Sequence, residues 1–203
     1  MEIELKYSID KFKADKIFND EFIQSIMDED SEENIPMKAV YFDTEDKRLH
    51  REGIAFRVRR EGSAFIATLK WNGSSDDGMH KREEINIPTT EAKMKEPYVE
   101  IFEQSQMYET LKKVIGSRKL IPLITMDFNR HQARVDNGAI FEVSVDEGKV
   151  CCNGKEAPIL ELEIELYSGN ADELADFGRE LSKKYQLIPE NKSKFKRALE
   201  LME

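Results

Sequence analysis

The chain has 203 residues, with 31 Lys and Arg against 41 Asp and Glu, which gives a formal charge of −10. Its charged fraction of 35% exceeds the roughly 25% of ordinary globular proteins, and its hydrophobic fraction is 39%. No run approaches the ~18–20 apolar residues of a membrane span, the opening Met1-Glu2-Ile3-Glu4 lacks a signal-peptide pattern, and the acidic balance argues against general nucleic-acid binding. Cys151 and Cys152 are adjacent, which suits neither a disulfide framework nor zinc ligation, so both read as reduced thiols. The expectation is a cytoplasmic protein with one domain over 1–203.

In chain order, the period-two alternation of EIELKY (2–7) predicts a strand. Asp10 is placed to cap a helix over 10–27, in which Phe18, Phe22, Ile23, Ile26 and Met27 share a face. DEDSEEN (28–34) reads as a surface loop, followed by strands at AVYFDT (39–44), AFRVRR (55–60) and AFIATLK (64–70). A second polar loop, NGSSDDG (72–78), leads into the strand KREEINI (81–87). Helical spacing returns over 98–115 with Ile101, Phe102, Leu111, Val114 and Ile115. Strands follow at TMDFNRHQARV (125–135), AIFEVSVDEG (139–148) and ILELEIEL (159–166). Leu174, Phe177, Leu181 and Tyr185 mark a helix, and a last one runs from about Lys194 to Met202 with Ser193 as its cap. The class is α+β, built on a dominant antiparallel sheet with helices outside it.

The strands alternate charge with hydrocarbon. EIELKY sets Glu2, Glu4 and Lys6 against Ile3, Leu5 and Tyr7, and ILELEIEL sets Glu161, Glu163 and Glu165 against Leu160, Leu162, Ile164 and Leu166. Arg57 and Arg59 oppose Phe56 and Val58; Arg82, Glu84 and Asn86 oppose Glu83, Ile85 and Ile87; Glu142, Ser144 and Asp146 oppose Phe141, Val143 and Val145. For any one strand a solvated face explains this. For the set that explanation weakens, because like charges at every second residue repel unless a cation sits among them. The alternative is a closed barrel of about eight strands with its charged face inward. Carboxylates there would attract hard divalent ions such as Mg²⁺ or Mn²⁺, and Arg and Lys would attract phosphate. The expected interior is sorted into an acidic metal end and a basic phosphate wall.

EIELK, YFDTEDKRLHREGIAFRVRR, ATLKWNGSSDDGMHKREEI, MDFNR, FEVSVDEG, ILELEIELYSGN and NKSKFKRA, in that order, resemble the CYTH superfamily of triphosphate tunnel metalloenzymes. The similarity is strongest to bacterial CYTH-type inorganic triphosphatases. The resemblance implies a tunnel barrel that hydrolyses inorganic triphosphate with Mg²⁺ or Mn²⁺. It implies metal ligation by Glu2, Glu4, Glu163 and Glu165, with Glu161 near and Asp146 serving a second ion. It places Lys6, Arg57, Arg59, Lys70, Arg82 and Arg130 on the phosphates, with Lys194 and Arg197 closing one end of the tunnel. Glu4, Arg59, Lys70 and Glu84 form the expected catalytic set, with Glu84 orienting the arginines. Adenylyl cyclase of class IV, thiamine triphosphatase and a non-catalytic polyphosphate- or nucleotide-binding module are the alternatives.

Two departures stand out. Glu61 follows Arg60, so a third Arg of an R-x-R-x-R run is absent, and with three His in total the role implied by the histidine-rich helical domain of some relatives is not expected to carry over. Tyr41, Phe42 and Trp71 could form a ring-binding mouth or simply pack. His50, His80 and His131 read as structural. No phosphate-binding glycine loop of the usual nucleotide folds occurs.

Overall fold

The computed structural model of the protein describes residues 1–201. Its strands are β1 (Glu2–Ser8), β2 (Glu33–Asp43), β3 (Ala55–Glu61), β4 (Ala64–Asp76), β5 (Met79–Pro88), β6 (Ile121–Asp136), β7 (Ile140–Cys152), β8 (Lys155–Ser168) and the two-residue β9 (Ile188–Pro189). The helices are α1 (Lys11–Ile17), α2 (Glu21–Ile26), α3 (Arg48–Arg51), α4 (Tyr108–Ile115), α5 (Ala171–Tyr185) and α6 (Lys194–Glu200). Strand order is β5-β4-β3-β2-β6-β7-β8-β1, and β1 also pairs with β5, which closes an eight-stranded antiparallel barrel. β9 extends the pairing at the end of β1, through Tyr7 and Ser8.

The alternation in the strands explains where the helices sit. On one side, outward residues such as Leu5, Val143, Leu162 and Ile164 are buried under Ile17 and Phe18, Ile23 of α2, and Leu174, Phe177 and Leu181 of α5. On the other, Phe42, Phe56, Val58, Leu69 and Trp71 pack under Leu49, Phe102, Leu111 and Ile115. Phe42 and Trp71 are therefore outer packing residues.

A third apolar cluster departs from the expectation of a uniformly charged interior. Met37, Ala39, Tyr41, Met126, Phe128 and Val150 are buried with Ala198 and Leu199 of α6. These strand residues share the inward parity of Arg57, Arg130 and Asp146, so α6 packs against an apolar part of the interior. The long strand β6 carries the reason. Its outward Thr125, Asp127 and Asn129 are exposed while its outward Ala133 and Val135 are buried, so the strand's outer face changes character midway.

Several element boundaries also differ from the sequence reading. The 10–27 helix is two helices, because Asn19-Asp20 interrupts it and the Asp20 carboxylate accepts from the Phe22 N–H at 2.9 Å to start the second. The 98–115 helix is a 3₁₀ turn (Val99–Phe102) followed by α4, with Ser105 Oγ accepting from the Met107 N–H between them. β2 begins at Glu33, inside the expected 28–34 loop, because Glu33 pairs with Gln132. β4 continues through most of 72–78 after a bulge beyond Trp71, leaving a turn at Asp77-Gly78. Asp10 and Ser193 cap their helices as expected. The expected end of the last helix at Met202 lies outside the described residues.

Candidate active site in the barrel interior

The site is a consequence of strand register. β1 points Glu2, Glu4 and Lys6 into the barrel, and its neighbours place charged residues directly opposite: Arg82 across from Glu2, Glu165 across from Glu4, Glu163 across from Lys6. A cavity of about 260 Å³ results, lined by these residues together with Arg57, Arg59, Lys70, Glu84, Arg130 and Lys194. Asp146, Glu161 and Arg197 belong to the same charge network beside it. Every residue singled out as a site candidate is thus brought to one interior region.

Acids and bases are interleaved there rather than sorted into two ends. Lys70 Nζ lies 2.8 Å from Glu2 and 2.5 Å from Glu84. Arg82 bridges Glu2 and Glu4. Lys6 sits 3.2 Å from Glu4 and is bonded to Glu163. Arg130 grips Asp146 through two bonds of 2.7 and 2.8 Å and reaches Glu163 at 2.6 Å. Lys194 reaches Asp146 at 2.7 Å, Glu163 at 2.9 Å and also Glu161, which Arg197 contacts in turn. Glu84 therefore holds Lys70, not the arginines. Burial alone would raise the Glu2 carboxyl, but Lys70 and Arg82 overcome it and hold that group far below the usual carboxylate range.

Two guanidinium groups escape this network. Arg57 is in no ion pair among the described residues; its Nη1 is 3.4 Å from the Tyr41 hydroxyl and its buried Nε has no partner. Among the described residues Arg59 is engaged only by Glu61, with Nε–Oε1 at 2.5 Å. Burial and the neighbouring Arg57 lower the Arg59 pKa, as expected where positive charge is crowded and desolvated. Tyr41 lines the cavity and stacks on Phe195 of α6 with ring centroids 4.8 Å apart. Its phenol is lowered despite burial, chiefly by the Arg57 and Lys70 charges. The structure thus gives Tyr41 an interior place that packing and ring-binding readings of the sequence had left open. The signal was parity, since Tyr41 shares a face with Ala39 and not with Phe42.

Uncompensated negative charge lies nearby. Glu4, Glu165 and Glu142 stand directly opposite one another across β1, β8 and β7. Neither Glu165 nor Glu142 has an ion-pair partner among the described residues. Burial, with Glu2 and Glu4 adding repulsion, pushes the Glu165 carboxyl up to about 7, and burial also raises Glu142. Glu142 is a residue whose inward face was legible but whose place in this row was not, because the row exists only in the β7–β8 register.

Two arrangements could hold a divalent cation. Asp146, Glu161 and Glu163 offer oxygens all within 4.8 Å of one another, but Lys194, Arg130, Lys6 and Arg197 already neutralise them. In the other, Glu165 has no ion-pair partner among the described residues and stands opposite Glu4, which with Glu2 is held by Arg82, Lys70 and Lys6. The donor set is all oxygen, which fits Mg²⁺ or Mn²⁺.

The histidines lie off the charge network. His80 is buried with Nε2 2.8 Å from the Glu190 carbonyl, tying β5 to the segment before α6. His131 stacks on Phe18 at 3.8 Å and lies 2.7 Å from Glu32. Cys151 and Cys152 are free thiols, and burial raises the latter. No helix is long and apolar enough to cross a membrane among the described residues.

Comparison with known proteins agrees with this architecture. The family described as "CYTH domain" matches residues 1–199. An inorganic triphosphatase of Haemophilus influenzae is 33% identical over 172 residues, covering 81% of this chain and 46% of that protein. The chain thus spans about half the length of that relative. A Hippeastrum protein named for adenylyl cyclase, with dominant triphosphatase activity, superposes at TM-score 0.71 with 17% identity, over 96% of this chain and 93% of its own. A Bacillus halodurans protein assigned as an adenylate cyclase superposes at 0.62 with 19% identity, over 97% and 96%. At those identities the two structures speak to the fold.

Proposed function

Because the chain belongs to the CYTH family, we propose that it is a metal-dependent inorganic triphosphatase that converts triphosphate and water to pyrophosphate and phosphate. The observation that carries this reading is charge left uncompensated in both signs within one tunnel. Among the described residues, neither Arg57 nor Glu165 makes an ion pair. A polyanion that arrives with a divalent cation satisfies both at once. The name of the Haemophilus relative supports the choice of inorganic triphosphate.

Glu2, Glu4, Glu163 and Glu165 would hold the ion, with Asp146 and Glu161 available to a second. When bound, the ion supplies neutralisation of phosphate charge and acidification of a bound water. Arg57 and Arg59 bind the anion, and Lys70, Arg82 and Arg130 stand ready to exchange carboxylate oxygens for phosphate oxygens. Glu84 fixes Lys70, and Lys6 bridges Glu4 and Glu163. Lys194 and Arg197 hold the deeper acids from α6. In the reaction the water oxygen bonds to the terminal phosphorus, the bridging P–O bond breaks, pyrophosphate leaves with the electron pair, and the proton lost by the water goes to the leaving pyrophosphate or to solvent. The guanidinium groups stabilise charge spreading over the transferring oxygens.

The test is phosphate release from triphosphate, ATP, thiamine triphosphate and long polyphosphate, each with Mg²⁺, Mn²⁺ and chelator. Preference for triphosphate, abolished by chelator, is the expected result. Faster release from either organic triphosphate would overturn the substrate assignment, and undiminished release in chelator would overturn the metal dependence.

A further inference from the structure

On β3, Arg57, Arg59 and Glu61 follow one another on a single inward face and lead from the interior to the hairpin at Gly62. Arg57 is buried, the Arg59 side chain is 16% exposed and the Glu61 side chain 24% exposed, so the row ends at the mouth. Glu61 is the last residue of the strand, paired with Ala64 across the turn and with Met37 on β2. Its carboxylate is bonded to Arg59. Glu142, on β7, lines the same cavity as Arg59 and adds a second carboxylate to it. The basic row therefore stops abruptly, and the next position along it repels an anion.

We propose that Glu61 sets the length of phosphate chain that the tunnel accepts, a reading that rests on the triphosphatase assignment and names its length selectivity. A two-residue step along a strand is about 6.7 Å, and neighbouring phosphorus atoms in a linear phosphate chain are separated by roughly half of that. Arg57 and Arg59 thus span three phosphates lying along β3; a fourth falls midway between Arg59 and the Glu61 carboxylate, and a fifth stands level with it. Glu61 also occupies Arg59 until the anion displaces it, so each bound chain must compete with an internal acid. A triphosphate gains a freed guanidinium from that exchange. A longer chain gains the same guanidinium and then confronts the freed carboxylate.

Equilibrium binding of inorganic triphosphate and tetraphosphate in chelator, by calorimetry, reads this selectivity apart from turnover. The wild-type protein is expected to bind triphosphate about tenfold more tightly, or about 1.4 kcal/mol. Glu61→Gln and Glu61→Ala are expected to bring the two affinities within about twofold and to tighten triphosphate itself, because Arg59 is released. Circular dichroism establishes that each variant is folded, and either folded variant decides the question. An unchanged affinity ratio overturns the proposal. Weaker triphosphate binding by the variants also overturns it, since Glu61 would then be a group that positions Arg59. Failure of the wild-type chain to bind either anion overturns it as well. If the ratio shifts as expected but no phosphate is released from triphosphate with Mg²⁺, the hydrolase reading falls and the length selectivity stands.

Discussion

Arg57 can be removed without orphaning a buried acid, whereas loss of Arg82 would strip partners from Glu2 and Glu4 together. Arg57→Ala is accordingly expected to leave the unfolding midpoint near the wild-type value while lowering triphosphate turnover ~10²–10³-fold, the usual cost of losing one oriented charge in a water-poor site. Denaturant titration and phosphate release on the same sample check both halves. Glu165 supplies a second expectation. Burial and the Glu2 and Glu4 charges raise it to about 7, so below that pH it holds a proton that a bound cation must expel. Metal affinity should therefore climb as pH rises toward about 7 and level off above it. Calorimetry in buffers of different ionisation enthalpy would show release of up to one proton per ion near pH 6. The inward acids and bases were legible because alternation in a strand assigns faces without knowledge of neighbours. Their partners were not. Glu4 opposing Glu165, and Glu84 holding Lys70, follow from cross-strand register, which depends on turns and bulges elsewhere in the chain.

At the scale of elements, the β6–β7 hairpin shows how tightly the barrel wall is drawn. Gly148 pairs with Phe128, and a Cβ there would lie 2.3 Å from the Asp127 carbonyl oxygen and 2.4 Å from Phe128 Cα. Both obstacles are backbone, so no side-chain rotation relieves them. Gly148→Ala should cost more than the ~1–3 kcal/mol typical of an overpacked core, read as a lower denaturant midpoint. The sequence reading ended its strand at this glycine, and β7 in fact continues to Cys152. Glycine signalled a break by propensity, whereas the close approach of β6 gives it a place within the sheet. Helix existence was legible from apolar spacing, but single Ser and Asp residues that bond to nearby backbone divided two of the expected helices. The inward apolar cluster under α6 was hidden for another reason. Met126 and Phe128 share a face with Arg130, and only the terminal helix reveals why hydrocarbon and guanidinium point the same way.

For the whole molecule, the inward acids and bases nearly balance, so the net charge of −10 is carried mainly by the outer surface and loops. Internal balance has a thermal consequence. The barrel interior is largely neutralised by its own ion pairs, so chelator should lower the melting temperature without abolishing cooperative unfolding. A divalent ion at about 100 times its dissociation constant should restore roughly 2.7 kcal/mol, which corresponds to several degrees for a chain of this size. Differential scanning calorimetry with graded Mg²⁺ and with chelator checks this. A loss of the transition in chelator would show that the metal is needed for folding as well as for turnover. The double pairing of β1, with β5 on one edge and β8 on the other, also orders events in time. β1 gains one of its two neighbours only when residues 161–165 have been made. Such sequence-distant pairings slow folding, and β1 must wait with an unpaired edge. Glu2 and Glu4 are thus synthesised ahead of the other strands and are among the last to reach their places in the closed sheet. The seam that completes the sheet and the carboxylates proposed to hold a cation would be assembled in the same late step.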